Sequence, residues 1–342
     1  MARISLHQAI DPAARNYRGR FAPSPSGPLH FGSLVSAVGS YLEARINGGV
    51  WLVRMEDVDL PRTMAGAADN ILQTLEGFGL CWDESVLYQS RRNDAYREAL
   101  QRLQRSGAAY PCACSRKEIA DSALRGIEGQ IYPGTCRNRL EAGKQARAWR
   151  VRTDNISFSR AGGESWQRGT VEPESNSRLS SPLGLNGIME FNDALQGRIT
   201  QHLESEIGDF VVLRADGLFA YQLAVVVDDA HQKITHVVRG ADLLISTPRQ
   251  IHLQRMLGLN TPAYMHLPIV VNAQGEKLSK QTLAAPVDAR DASAVLVRVL
   301  EFLRQQPPAE LAAGKPAEIL EWAIEHWNPQ PLSGLRAKPL PD

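Results

Sequence analysis

The chain has 342 residues, of which 43% are hydrophobic and 22% are charged, enough for one large or two smaller folded domains. Its formal net charge of +1 excludes a broadly basic RNA coat, so any RNA contact must come from a local patch. No stretch approaches the roughly 20 apolar residues of a membrane span, and residues 1–18 lack the apolar core of a signal peptide. We therefore expect a cytoplasmic protein with a short leader of unknown role over residues 1–18.

The first predicted elements are a strand at residues 19–22, a stiff turn of Pro, Ser and Gly, and a helix that begins near Gly32. Glycine lets a backbone approach a ligand closely, and a helix N-terminus presents free N–H groups and a positive dipole end to an anion. His30 lies at this turn and is a candidate phosphate ligand; the structural alternative is a histidine that caps the helix.

Apolar runs and helical spacing predict the next elements: a buried strand at 51–54, helices at 65–80 and 93–106, and a strand at 149–152. An acidic turn that contains Glu56 follows the first of these strands. Between the last two elements lie three of the four cysteines, Cys112, Cys114 and Cys136. With no secretory signal, disulfides are not expected, and we assign Cys81 to core packing.

Three cysteine thiolates supply three quarters of a tetrahedral zinc site. No histidine lies nearby in the sequence, so chemistry alone leaves Tyr132, water and a carboxylate level as the fourth ligand. The alternative is three cysteines that bind no metal. A closed four-ligand site has no open position for catalysis, so the predicted role of the metal is structural.

Residues 155–187 show no clear period and predict an irregular loop. Beyond it, the pattern predicts strands at 188–193, 210–214, 236–239 and 268–271, and helices at 221–229, 247–257, 292–304 and 316–327. The strand at 268–271 leads to a loop with Lys277 and Lys280. Their ammonium groups, together with the turn at His30, describe a site that holds a triphosphate from two sides.

Two strings resemble the nucleotide-binding motifs of the class I aminoacyl-tRNA synthetases. The first, His30-Phe31-Gly32-Ser33, resembles the HIGH-type motif, and the second, Lys277-Leu278-Ser279-Lys280-Gln281, resembles the KMSKS-type motif. The flanking strings at 20–27, 53–62 and 238–244 resemble the glutamate-specific branch, over roughly residues 17–285. The chain departs from the motifs at Ser33, which replaces a second histidine, and at Gln281. A serine at the fourth position of the HIGH-type motif is typical of the short paralogues in this branch.

The resemblance implies an α/β fold: a Rossmann-like parallel-sheet catalytic domain, a zinc-bearing insertion and a short helical C-terminal appendage. The expected division is a leader at 1–18, a catalytic first half at 19–107, the insertion at 108–205, a catalytic second half at 206–285, and a tail at 286–342 without an anticodon-binding domain. The insertion position matches the subdomain that carries the acceptor end of tRNA in this family.

Two carboxylates on an amino-acid substrate need two cationic partners, and Arg offers a bidentate fork to each. The resemblance maps L-glutamate binding onto Arg20, Phe21, Ala22, Pro23, Ser24, Glu56, Tyr221 and Arg239. It maps ATP binding onto His30, Gly32, Lys277 and Lys280, with His30 and Lys280 catalytic, and zinc binding onto Cys112, Cys114, Tyr132 and Cys136. The structural alternatives are an Arg20–Glu56 pair, a core role for Tyr221 and an exposed strand end at Arg239. Asp57 and Asp242 are weaker candidates, because either can cap a helix or hold another site residue in place without contacting the substrate.

The resemblance further implies ATP-dependent activation of L-glutamate, with Mg²⁺ on ATP and one structural Zn²⁺. The short members of the branch transfer the glutamate to queuosine in tRNA(Asp), and a monomer is expected. Three other functions remain open from the sequence. They are a minimal glutamyl-tRNA synthetase that charges the 3′ end of tRNA(Glu), a non-catalytic RNA-binding paralogue, and an ATP-dependent ligase of a small molecule.

Overall fold

The computed structural model describes residues 17–122, 125–154, 187–272, 274–278 and 285–340. Most of the predicted loop at 155–187 lies outside these described residues, which include only its last position. Nearly all of the leader, Lys280 and Gln281 also lie outside them. In the described ranges, no helix is long and apolar enough to cross a membrane.

The described residues form helices and strands that alternate for most of the chain. The helices are α1 (Phe31–Ile46), α2 (Ala67–Gly77), α3 (Asn93–Arg105), α4 (Arg116–Ala120), α5 (Tyr221–His231), α6 (Thr247–Met256), α7 (Ala292–Phe302) and α8 (Pro316–His326). The strands are β1 (Arg18–Phe21), β2 (Val50–Met55), β3 (Leu87–Tyr88), β4 (Ala109–Cys112), β5 (Arg125–Gly126), β6 (Gly129–Gln130), β7 (Ala148–Val151), β8 (Ile188–Asp193), β9 (Gly197–His202), β10 (Phe210–Leu213), β11 (His236–Gly240), β12 (Ala263–Leu267), β13 (Ile269–Val271) and β14 (Ala337–Pro339).

Two mainly parallel sheets form the centre of the molecule. One has the strand order β1-β2-β3 and the other has the order β11-β12-β8-β9. All pairs are parallel except β8 with β9. The two sheets meet where the Thr235 N–H donates to the Arg18 carbonyl over 3.0 Å. Because the connections between parallel strands run through helices, this pairing confirms the predicted α/β class.

A third, antiparallel sheet of order β10-β7-β4 carries the cysteine segment, together with the short β5-β6 hairpin. Strands on each side of the predicted domain boundary at residue 205 pair with strands on the other side. The hairpin β8-β9, expected in the insertion, joins β12, whereas β10, expected in the catalytic second half, joins β7. The division into domains stays a prediction.

Helix α1 lies at the centre of the largest hydrophobic core. Trp51, Leu34 and Leu267 are buried there, and so are apolar side chains from α7 and α8. Gly39 lets α1 pack closely against β12, since a Cβ at this position would lie 2.4 Å from Leu267 Cδ1. The tail helices therefore belong to the same core that supports the N-terminus of α1.

Candidate active site

A cavity of about 720 Å³ opens where β1, β2 and β11 end. Every described residue of the predicted glutamate and ATP sets lines it: Arg20, Phe21, Ala22, Pro23, Ser24, His30, Gly32, Glu56, Tyr221, Arg239 and Lys277. The carboxyl ends of parallel strands are where open α/β folds bind ligands. The structure thus brings residues up to 257 positions apart in sequence, from Arg20 to Lys277, into one cavity.

His30 is the N-cap of α1 and also lines the cavity. Its extended backbone (φ −114°, ψ 171°) starts the helix, and its Nδ1 accepts the Ser33 N–H over 3.3 Å. The Ser33 hydroxyl lies 3.1 Å from His30 Nε2. His30 therefore caps the helix, which the sequence offered as an alternative role, and it also lines the cavity. Ser33, the departure from the family motif, contacts the imidazole directly.

Gly32 belongs to the first predicted phosphate-binding string and lies close to the second, at Leu278. A Cβ at this position would come within 3.2 Å of His30 Cε1 and 3.7 Å of the Leu278 carbonyl oxygen. Any larger residue would crowd the space between the imidazole and the loop of Lys277. This glycine therefore keeps the helix N-terminus open on the side that faces the loop.

Lys277 donates to Asp242 Oδ2 over 2.5 Å. Asp242 follows β11 and also lines the cavity, so the pair connects the loop after β13 with the end of β11. Of the two weaker carboxylate candidates, Asp242 faces the cavity, whereas Asp57 accepts the backbone N–H and the hydroxyl of Ser90. Asp57 therefore fixes the turn after β2.

A buried network of charged side chains lies beneath the cavity. Arg20 Nε donates to Asp229 Oδ1 over 3.2 Å, and Arg54 Nη1 donates to the same oxygen over 2.7 Å. Arg54 Nη2 donates to Glu56 Oε1 over 3.1 Å. The anionic partner of Arg20 is thus Asp229 and the cationic partner of Glu56 is Arg54. Arg54 and Asp229 were not identified as site residues from the sequence. Each is a charged residue inside an otherwise apolar strand or helix, and that pattern could have identified them.

Burial and charge set the protonation of the carboxyl and phenol groups here. Burial raises the pKa of Glu56, although Arg54 and Arg20 oppose the shift. Burial opposes ionisation of Asp229 too, yet Arg20 and Arg54 hold its pKa below the usual range. Burial also raises the pKa of Tyr221 to about 12, so its phenol keeps its proton and can donate a hydrogen bond.

Arg239 is only 5% exposed, so the alternative of an exposed strand end is wrong. Its Nε donates to His266 Nε2 over 3.1 Å and its Nη2 donates to Thr247 Oγ1 over 2.7 Å. Its Nη1 is buried and has no hydrogen-bond partner among the described residues. Because an unpaired buried donor is costly, this nitrogen is the expected contact for a ligand acceptor.

Three cysteines and one tyrosine form a separate cluster at β4 and the segment after β6. The sulfur atoms of Cys112, Cys114 and Cys136 lie within 4.8 Å of one another. Tyr132 Oη lies 3.4 Å from Cys112 Sγ and 3.6 Å from Cys114 Sγ, and the sulfurs of Cys114 and Cys136 are 3.6 Å apart. Tetrahedral zinc with bonds of about 2.3 Å to sulfur and 2.0 Å to oxygen has ligand separations of about 3.5–3.8 Å. The donor set therefore fits such an ion.

Arg150 completes this cluster. Its Nε donates to Cys112 Sγ over 3.4 Å, and its guanidinium lies 4.0 Å from the centre of the Tyr132 ring. The Cys136 N–H donates to Tyr132 Oη over 2.9 Å. Positive charge and an N–H donor stabilise the anionic forms that metal ligands adopt. The three-cysteine cluster can thus hold a metal.

The sequence and the fold match one family over most of the chain. Residues 16–295 match the family described as tRNA synthetases class I (E and Q), catalytic domain. Two solved structures share the fold at 22% sequence identity and a TM-score of 0.67: the glutamate-tRNA synthetase of Elizabethkingia anophelis and a glutamate tRNA ligase of Elizabethkingia meningosepticum. The chain spans 67% of the length of each, and each alignment covers at least 94% of this chain.

Curated relatives narrow the assignment. The glutamyl-Q tRNA(Asp) synthetase of Dechloromonas aromatica is 59% identical over 314 residues, which cover 91% of this chain and 94% of the relative. The protein of the same name from Chromobacterium violaceum is 52% identical, over 95% of this chain and 97% of the relative. The chain therefore belongs to the class I tRNA synthetases of the E and Q type and, within them, to the glutamyl-Q tRNA(Asp) synthetases.

Proposed function

We propose that this enzyme activates L-glutamate with ATP and transfers the glutamyl group to the queuosine base at the wobble position of tRNA(Asp). One observation carries the proposal. In a chain 59% identical to a glutamyl-Q tRNA(Asp) synthetase, a single cavity gathers two arginines, a carboxylate and a phenol beside both phosphate-binding strings. That arrangement supplies opposite charges for each charged group of glutamate and donors for the phosphates of ATP.

In the glutamate subsite, Arg20 and Arg239 would each bind one substrate carboxylate. Glu56 would bind the ammonium group and Tyr221 would donate a hydrogen bond from its phenol. Arg239 offers the buried Nη1 that has no partner in the described part of the chain. The segment from Phe21 to Ser24, on the cavity wall, would shape the space between these groups. Ionic and bidentate contacts to both ends of the substrate orient its α-carboxylate for attack.

In the adenylation step, an oxygen of the α-carboxylate attacks the α-phosphorus of ATP. The bond from that phosphorus to the β-phosphate oxygen breaks, and pyrophosphate leaves. The carboxylate is already the nucleophile, so no general base is needed. His30, Gly32 and the N-terminus of α1 would hold the phosphates, and Lys277 and Lys280 would stabilise the leaving group. Mg²⁺ bound to ATP would add charge neutralisation.

In the transfer step, the acceptor on queuosine attacks the acyl carbon of the adenylate and AMP leaves. The open cavity can admit an unstacked base of an anticodon loop, since single-stranded loops are the usual targets of specific RNA recognition. We propose tRNA(Asp) bearing queuosine as the RNA partner, a monomer as the acting species, and the cytoplasm as its place of action.

For the cysteine cluster we propose one structural Zn²⁺ held by Cys112, Cys114, Tyr132 and Cys136. The ligand separations given above support zinc with a phenolate fourth ligand. A four-ligand site has no open position for substrate, so its role would be to hold the segment between β4 and β7.

The test is ATP–pyrophosphate exchange with purified protein, L-glutamate and Mg²⁺, without RNA, with aspartate and glutamine as controls. We expect exchange with glutamate alone. A second assay measures labelled glutamate transfer to tRNA(Asp) that contains queuosine, to the unmodified transcript and to a tRNA(Glu) transcript. Only the modified tRNA should accept glutamate. Charging of the tRNA(Glu) transcript, or exchange only after tRNA is added, would contradict the proposal and indicate a glutamyl-tRNA synthetase.

A further inference from the structure

Three strands place Asp193, His266 and Arg239 in a row beneath the cavity. Strands β11 and β12 pair in the register that sets Arg239 beside His266. Strand β12 pairs with β8 at Tyr264 and Asp193. Asp193 is 4% exposed, His266 is fully buried and Arg239 is 5% exposed. Of the three, only Arg239 lines the cavity.

The hydrogen bonds along this row have a direction. Asp193 Oδ2 lies 2.5 Å from His266 Nδ1, and Asp193 Oδ1 accepts the N–H groups of Leu195 and Gln196 over 3.0 and 2.9 Å. An ionised carboxylate can only accept, so the proton between Asp193 and His266 belongs to Nδ1. Nε2 of the same ring is then the acceptor for the Arg239 Nε–H at 3.1 Å.

The imidazole is neutral in this environment. Burial lowers the pKa of His266 to about 4, although the hydrogen bond to Asp193 opposes the shift. Burial likewise opposes ionisation of Asp193, yet the bond to His266 holds the pKa of this carboxyl below its usual range. A neutral ring with its proton on Nδ1 has a single lone pair, at Nε2. This nitrogen lies 3.1 Å from Arg239 Nε and 3.1 Å from Thr247 Oγ1, so it accepts where both side chains meet.

The partners of Arg239 differ in kind from those of Arg20. Arg20 contacts the carboxylate of Asp229, which offsets part of its charge. Arg239 is held by three neutral acceptors: the imidazole of His266, the hydroxyl of Thr247 and, at 3.4 Å, the carbonyl of Leu243. These hydrogen bonds fix Nε and Nη2 and so define the plane of the guanidinium. Because the acceptors are neutral, the positive charge is not offset and can attract a ligand at Nη1.

We propose that Asp193 and His266 are positioning residues for the amino-acid substrate: Asp193 selects the tautomer of His266, and that tautomer aims Arg239 at a substrate carboxylate. The inference rests on the proposed role of Arg239 in binding glutamate. It assigns a function to a fully buried histidine and aspartate that do not themselves touch the substrate.

The decisive variant is Asp193→Asn, which preserves shape and inverts the hydrogen-bond direction. The amide oxygen of asparagine would remain on the backbone N–H groups and its NH₂ would face His266 Nδ1. The ring proton must then move to Nε2, where it opposes the Arg239 Nε–H. We expect the KM for glutamate in pyrophosphate exchange to rise about 10-fold to 100-fold. Loss of one hydrogen bond to a charged group changes a binding constant by about this factor. The KM for ATP should stay unchanged.

A second pair of variants tests the acceptor itself. His266→Gln can place an amide oxygen near Arg239, whereas His266→Leu cannot, so the leucine variant should have the higher KM for glutamate. The matched control is His252→Gln. His252 is also fully buried, but it bonds the Arg152 carbonyl at 2.7 Å, away from Arg239.

Nitrogen-15 chemical shifts of the His266 ring give a readout independent of activity. The wild-type protein should show the Nδ1–H tautomer and Asp193→Asn the Nε2–H tautomer. A folded Asp193→Asn variant with the wild-type KM for glutamate would overturn the inference, and so would equal KM values for His266→Gln and His266→Leu. Absence of glutamate-dependent exchange by the wild-type enzyme would instead overturn the proposed function.

Discussion

Arg20 and Asp229 form a buried ion pair, in which Arg20 Nε donates to Asp229 Oδ1 over 3.2 Å. The pair joins the end of β1 to α5, and both side chains are at most 7% exposed. Asp229 therefore holds the guanidinium of Arg20 by its Nε edge at the wall of the cavity.

Replacement of Arg20 by lysine should raise the KM for glutamate about 10-fold or more, because an ammonium cannot bind Asp229 and a substrate carboxylate with the geometry of a guanidinium fork. Pyrophosphate exchange over a range of glutamate concentrations measures the effect. Arg18→Lys is the matched control, since Arg18 lies two residues earlier and pairs with the half-exposed Glu84. Equal effects of the two variants would contradict a role of Arg20 in binding.

Acidic pH should weaken glutamate binding by the wild-type enzyme. Glu56 binds an ammonium only when ionised, that is, above its pKa, and burial raises this pKa above the usual value of 4.5. The KM for glutamate should therefore rise as pH falls toward the raised pKa. Glu56→Gln should have a high KM that no longer follows this dependence. A variant whose pH profile matches that of the wild type would exclude Glu56 as the responsible group.

Arg54→Met should destabilise the fold by about 3–5 kcal/mol, because it leaves two buried carboxylates, Glu56 and Asp229, without this shared cation. Urea unfolding measures the change. Arg62→Met serves as the control, because Arg62 is 79% exposed and its pair with Asp59 is a surface ion pair. A stability of Arg54→Met close to that of the control would show that the network is not needed for folding.

Cys136→Ser should lose zinc and lower the Tm, because it removes one of the four ligands proposed for a closed site. Elemental analysis and thermal unfolding measure the two effects. Tyr132→Phe separates the fourth-ligand alternatives: weaker zinc retention supports the phenolate, and unchanged retention supports water or a carboxylate. Cys81 is exposed, so its assignment to core packing is wrong. It offers the control variant Cys81→Ser, which should keep both zinc and Tm.

Helices with clear apolar spacing were predictable from the sequence to within a few residues. The prediction of 65–80 corresponds to Ala67–Gly77, and that of 93–106 to Asn93–Arg105. The strand β9 was missed because its sequence, GRITQH, is largely polar, and β12 was missed because its five residues lie between two prolines. Pairing with neighbouring strands, not local propensity, makes these segments extended.

The candidate site was predictable where a residue belongs to a recognisable string. His30, Arg20 and Arg239 were all identified in this way, and the structure places each at the cavity. The residues that hold these side chains in place were not predictable. Asp229 contacts Arg20 and His266 contacts Arg239 only because the fold brings together strands and a helix that are distant in sequence. No local pattern distinguishes a buried histidine that holds an arginine from one that fills a core.

The pairing of β13 with β14 links the end of the described chain to the phosphate-binding loop. Leu340 donates its N–H to the Val271 carbonyl, and Val271 is the last residue of the strand that leads to Lys277. The tail is thus a brace for the strand that leads to Lys277. Proteolytic cleavage near residue 334 would release this brace and slow pyrophosphate exchange, although every residue proposed to bind ATP would still be in the cleaved protein.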